Sequence, residues 1–149
     1  MLRMWPPAIL KDRACVKPYQ ILPKTPDEVP LDIPVNGVVW ILTYGIHRDP
    51  KYYENPDKFD PERFSDENKH KIRPYTYIPF GVGPRNCIGS RFALMEIKIL
   101  LFNILLNFEL GIGKKMIYPL RLSKNGLVEL VEGGFWISLK KLNNSNTSN

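Results

Sequence analysis

The chain has 149 residues, enough for one domain with a real core, and ordinary apolar (44%) and charged (24%) fractions. Its net charge of +6 suits an anionic membrane surface or an acidic protein partner. The basic residues are scattered, with no dense Arg/Lys tract and no interleaved aromatic platform, which argues against nucleic acid.

The fourteen prolines predict much turn and meander. Met1 to Met4 reads as the tail of a helix ended by Pro6-Pro7, so the chain is expected to begin inside an element. No signal peptide or membrane-length apolar run is visible, and a membrane anchor, if any, is expected outside these residues. Arg13 to Leu42 is strand-like, with Val16 to Ile21 extended. Asn36-Gly37 supplies positive φ and predicts a tight hairpin joining Leu31–Val35 to Val38–Leu42. Tyr44 to Ile46 suits a short helical turn. Asp49 to Pro79 reads as meander punctuated by Asp49-Pro50, Asn55-Pro56 and Asp60-Pro61.

One clear helix is predicted over about Arg91 to Asn107. Twelve of the fifteen residues from Phe92 to Leu106 are apolar, and a helix apolar on nearly all sides is expected to be buried. Leu127–Val131 and Phe135–Leu139 predict a second hairpin around Glu132-Gly133-Gly134. The Asn/Ser/Thr-rich tail 143–149 is expected to be disordered.

Two cysteines, Cys15 and Cys87, lie far apart, suggest no disulfide framework and fit a reducing, cytosol-facing compartment. Cys87 stands in Phe80-Gly81-Val82-Gly83-Pro84-Arg85-Asn86-Cys87-Ile88-Gly89. By itself a lone cysteine reads as a structural thiol beside a glycine turn. As a metal ligand it sits just before a helix start, where dipole and backbone N–H groups favour an anion. Glycines at 81, 83 and 89 let the backbone approach a flat macrocycle. Arg85 suits a carboxylate such as a propionate, and Phe80 suits shielding of the sulfur from water.

The segment matches Phe-x-x-Gly-x-Arg-x-Cys-x-Gly at every defined position, and so resembles the haem-binding signature of the cytochromes P450. The resemblance runs from Leu2 to about Leu139 and is most like insect microsomal members. It implies a mixed α/β fold, mainly α with small β-sheets, of which residues 1–142 form the C-terminal part of a single domain. Cys87 is then the catalytic residue and the iron ligand of haem b. Arg85, Arg13, Phe80, Gly81, Gly83 and Gly89 are the other cofactor-binding residues.

Arg3 resembles the arginine of the family's Glu-x-x-Arg motif, whose glutamate would fall one position before Met1. Pro61-Glu62-Arg63-Phe64 resembles the Pro-Glu-Arg-Phe element. Arg3 and Arg63 are thus expected in a structural ion network whose anion this chain lacks; as an alternative, they are solvated surface residues. His47, in His47-Arg48-Asp49-Pro50, reads as a turn-stabilising residue and not an iron ligand. Ile9, Leu10 and Leu127 are candidates for a substrate pocket and equally for ordinary core. Lys69, Lys71, Arg73, Arg91 and Lys98 suit a basic docking face or a merely solvated one.

The implied reaction is monooxygenation of a lipophilic substrate, with electrons from NADPH through a flavoprotein reductase, at the cytosolic face of the endoplasmic reticulum membrane. Residues 1–149 alone lack the family's distal helix and are expected to be inactive. Other readings stay open: a haem-thiolate isomerase or dehydratase that needs no reductase, or a non-catalytic truncated product. A zinc domain using Cys15, Cys87, His47 and His70 fits no structural-site spacing.

Overall fold

A computed structural model describes residues 1–121 and 131–142. The chain divides into two compact units, Met1–Pro79 and Phe80–Asn149.

The first unit opens with one helical turn, Trp5 N–H donating to Met1 C=O at 3.0 Å, which stops at Pro6 as the prolines require. Four short strands follow: β1 (Lys11–Ala14), β2 (Tyr19–Ile21), β3 (Leu31–Ile33) and β4 (Val38–Ile41). The pairing differs from the one expected. β3 does not pair with β4 across Asn36-Gly37; β1 pairs antiparallel with β4 and β2 with β3. Lys11 faces Ile41 and Tyr19 faces Ile33, so both ladders keep one register. They form one long ribbon whose tip is the 22–30 loop, bracketed by Pro23 and Pro30, which cannot donate to a ladder.

Asn36-Gly37 is indeed a turn, with Asn36 at φ 65° and Gly37 N–H bonded to Pro34 C=O at 2.9 Å. It interrupts the returning arm instead of ending it. The Cys15 backbone grips it from the other arm, donating to Gly37 C=O and accepting from Asn36 N–H, both at 2.8 Å. Residues far along the chain outcompete the local pairing because they satisfy the same backbone groups on both sides of the break.

Helix α1 (Thr43–Arg48) follows and ends at Asp49, held extended before Pro50. The meander contains two short 3₁₀ turns, Pro61–Phe64 and Lys69–Lys71. Asp60 caps the first, its carboxylate accepting from Glu62 N–H at 3.2 Å, with Pro61 at the first helical position, where no N–H is needed.

The second unit holds α2 (Ser90–Asn107), β5 (Phe108–Ile112) and β6 (Ile137–Lys141). Helix α2 lies where the sequence places it, but its expected burial is wrong. None of its residues is buried, and Phe92, Leu100 and Phe102 are 63%, 58% and 65% exposed. The composition of a buried helix is present without the burial.

Strand β6 pairs with β5, Phe108 facing Lys141 and Ile112 facing Ile137, and β5 is a strand the sequence pattern does not announce. The expected turn at Glu132-Gly133-Gly134 is there, Gly134 N–H bonding Val131 C=O at 3.0 Å. Most of the first arm of that predicted hairpin, and the tail 143–149, lie outside the described residues.

Candidate functional site

The cysteine loop is closed by its own backbone. Cys87 N–H donates to Phe80 C=O at 2.8 Å, and Asn86 N–H to Gly83 C=O at 3.1 Å, a turn over Gly83-Pro84-Arg85-Asn86. Gly81 and Gly83 stand at φ 76° and 79°, a left-handed conformation in which a side chain would be strained. The loop delivers Cys87 three residues ahead of α2, whose first turn starts from Gly89 with no side-chain cap.

Cys87 is exposed and forms no disulfide. Ile88 beside it is fully exposed, and a Cβ built on Gly83 or Gly89 would meet nothing within 4 Å. An exposed cysteine thus stands on a glycine-lined loop just ahead of a helix N-terminus. These residues would fit a flat macrocycle held by a thiolate: the cysteine is accessible and the glycines leave an approach to it open. Phe80 is half-buried, and Arg85 is exposed on the same loop.

Arg13 lies on β1 opposite Val39, exposed, one guanidinium nitrogen donating to Asp12 C=O at 2.6 Å. Ile9 and Leu10 are half-buried; Ile9 C=O accepts from Tyr44 N–H at 2.9 Å, which ties this stretch to α1. Leu127 lies outside the described residues.

Arg3 and Arg63 come near each other, and the partners seen for both are backbone carbonyls. Arg3 is 3% exposed, so it is not a solvated surface residue. It donates to the carbonyls of His47 (2.7 Å), Pro56 (2.6 Å) and Lys58 (3.3 Å) and lies over the Tyr53 ring. Half-buried Arg63 donates to Glu54 and Asn55 C=O at 2.5 and 3.1 Å, and its buried Nε has no bonding partner among the described residues. Two arginines thus hold one stretch, 54–58, through backbone carbonyls. No carboxylate lies within ion-pair distance of either among the described residues. Burial, and then the nearby Arg63 charge, lowers the Arg3 pKa from its ordinary value.

His47 is fully buried and stacks on Tyr77. Its Nδ1 lies 3.1 Å from Arg3 C=O, and its Nε2 accepts from Ile78 N–H at 2.9 Å. Burial pushes its pKa down to about 4. Both ring nitrogens serve the backbone, in keeping with a turn-stabilising role, and neither is available to a metal. No cluster of three metal-ligating side chains occurs among the described residues.

Lys11 carries no signal in the sequence. Its ammonium bonds Thr43 Oγ1 at 2.9 Å and Ile78 C=O at 3.2 Å, a contact between positions 67 apart that no local pattern announces. Among the described residues no helix is long and apolar enough to cross a membrane.

The family described as Cytochrome P450 matches this chain over residues 1–134. The chain is 53% identical over 143 residues to cytochrome P450 9e2 of Blattella germanica, covering 96% of this chain and 26% of that protein. It is 49% identical over 143 residues to a protein named probable cytochrome P450 9f2 of Drosophila melanogaster, covering 96% and 27%. With cytochrome P450 3A9 of Rattus norvegicus it shares 46% over 129 residues, covering 86% and 24%. The chain spans about a quarter of the length of these relatives.

Proposed function

Because the chain belongs to the cytochrome P450 family, we propose that it supplies the proximal, thiolate-bearing side of a haem monooxygenase, with Cys87 as the axial ligand to iron. The observation that carries this reading is the exposed Cys87 thiol on a glycine-lined loop at the start of α2. The ten residues around it fit the haem-binding signature at every defined position. Residues 1–142 then belong to one domain of that fold.

When bound, haem b would supply activation of O₂, for which an electron-rich sulfur ligand is suited. The chain's own residues have simpler tasks. Cys87 would hold the iron as thiolate. Arg85 and Arg13 would pair with the propionates, since a guanidinium matches a carboxylate in two parallel hydrogen bonds. Phe80 would keep water from the sulfur, and Gly81, Gly83 and Gly89 would keep the macrocycle's approach open. Arg3 and Arg63 would brace the meander. Ile9, Leu10 and Leu127 would line the apolar side of a pocket for a lipophilic substrate.

Electrons would come from NADPH through a flavoprotein reductase, drawn by basic side chains such as Lys69, Lys71, Arg73, Arg91 and Lys98. The setting would be the cytosolic face of the endoplasmic reticulum membrane.

The test is the reduced-CO difference spectrum of a protein of the relatives' length carrying these residues. A Soret band shifted far to the red is expected, and Cys87→Ser abolishes it. An unchanged band in Cys87→Ser overturns the ligand assignment. Turnover that proceeds without NADPH or reductase would instead point to an isomerase or dehydratase.

A further inference from the structure

Ile78 is a buried residue whose two backbone polar groups are both held by side chains from distant parts of the chain. Its N–H is bonded to His47 Nε2 at 2.9 Å and its C=O to Lys11 Nζ at 3.2 Å. Its own side chain is 6% exposed. The next residue, Pro79, is buried, has a fixed φ and offers no N–H of its own. The chain then passes directly into Phe80, whose carbonyl closes the cysteine loop on Cys87 N–H. The root of the loop is therefore pinned through both polar groups of one residue.

The chemistry of the pin is specific. Ile78 N–H can only donate, so Nε2 must be unprotonated, and the ring proton belongs on Nδ1, where Arg3 C=O accepts it. The charged groups facing the ring are Arg3 and Lys11, both cations, and Tyr77 stacks on it. That setting favours the neutral imidazole the bond requires. Lys11 is oriented in turn by Thr43, whose side chain is fully buried.

We propose that His47 and Lys11 are positioning residues for the Cys87 thiolate: by holding the N–H and C=O of Ile78 they fix the point from which the cysteine loop departs. This rests on the reading of Cys87 as the iron ligand.

The experiment uses a protein of the relatives' length carrying this chain, loaded with haem. Its readouts are total haem and the fraction of the reduced-CO complex that shows the far-red Soret band. His47→Leu keeps the volume but removes the acceptor, and should lower that fraction about fivefold. His47→Gln restores an acceptor toward Ile78 N–H and should recover most of it. Lys11→Met should lower it in the same direction. A packing role predicts the opposite order, with Leu tolerated better than a buried amide. The proposal is overturned if Leu matches wild type, if Leu exceeds Gln, or if Lys11→Met has no effect. Should His47→Leu yield no holoprotein, Gln and Lys11→Met decide the matter. Cys87→Ser separates the two levels. If Cys87→Ser keeps the band, the ligand reading itself fails; if it loses the band while the His47 and Lys11 variants keep it, only this inference fails.

Discussion

The two units differ in what each one buries within itself. In Met1–Pro79 the most buried side chains are largely polar: Arg3, Thr43, His47 and Thr76, with Tyr53 and Ile78 beside them. Each of the polar four meets named partners, mostly groups 20 or more residues away. In Phe80–Asn149, α2 carries the apolar surface of a core element and buries none of its residues. A short, proline-rich meander cannot gather a large apolar core, so polar side chains that bond its carbonyls take over that task. An apolar helix has no such recourse and depends wholly on what is packed against it.

The largest expected effect on this contrast, in the 149-residue chain itself, is Arg3→Met. It leaves the buried carbonyl of His47 and the part-buried carbonyls of Pro56 and Lys58 without their donor and should cost about 3 kcal/mol in urea denaturation. A loss near zero would show that the arginine cage contributes nothing.

Acid comes next. The His47 pKa is about 4 in the folded chain against an ordinary 6.5, so between these pH values the unfolded chain binds a proton that the folded chain refuses. Stability therefore falls as pH drops below about 6.5 and the loss is complete near 4, at most about 3 kcal/mol. His47→Gln should flatten that part of the pH–stability profile.

A smaller effect belongs to Tyr53→Phe. The Tyr53 hydroxyl lies 3.5 Å from Thr76 Oγ1, at the limit of a hydrogen bond, so its removal should cost no more than about 1 kcal/mol. Smallest of all is Ile99→Ser on α2. Ile99 is 55% exposed, and in the 149-residue chain its replacement should shift stability by no more than about 0.5 kcal/mol. In a protein of the relatives' length, where the helix would be covered, the same substitution should cost about 2 kcal/mol or more. Equal costs in both would remove the contrast.

Local rules that act alone are legible in the sequence. Asn36-Gly37 forms its turn, Asp49-Pro50 stops α1, and the helix expected over about Arg91 to Asn107 is α2 to within a residue. The sequence misleads where tertiary pairing decides. The arms beside Asn36-Gly37 choose partners earlier in the chain, and β6 chooses β5. The expected burial of α2 fails because composition reports what a helix needs, not what lies next to it. At the site, the Cys87 loop is legible because its glycines, arginine and cysteine form one contiguous pattern. Lys11 is not, because its role exists only through a contact with Ile78.

The most direct test of the central claim is thiol protection. The exposed Cys87 should react with iodoacetamide in the haem-free protein, whereas Cys15, half-buried and bonded to Lys17 C=O at 2.7 Å, serves as the internal reference. Peptide mass spectrometry on a haem-loaded protein of the relatives' length should find Cys87 protected and Cys15 labelled as before. Equal alkylation of Cys87 with and without haem, at unchanged haem content, would contradict the assignment of its sulfur to the iron.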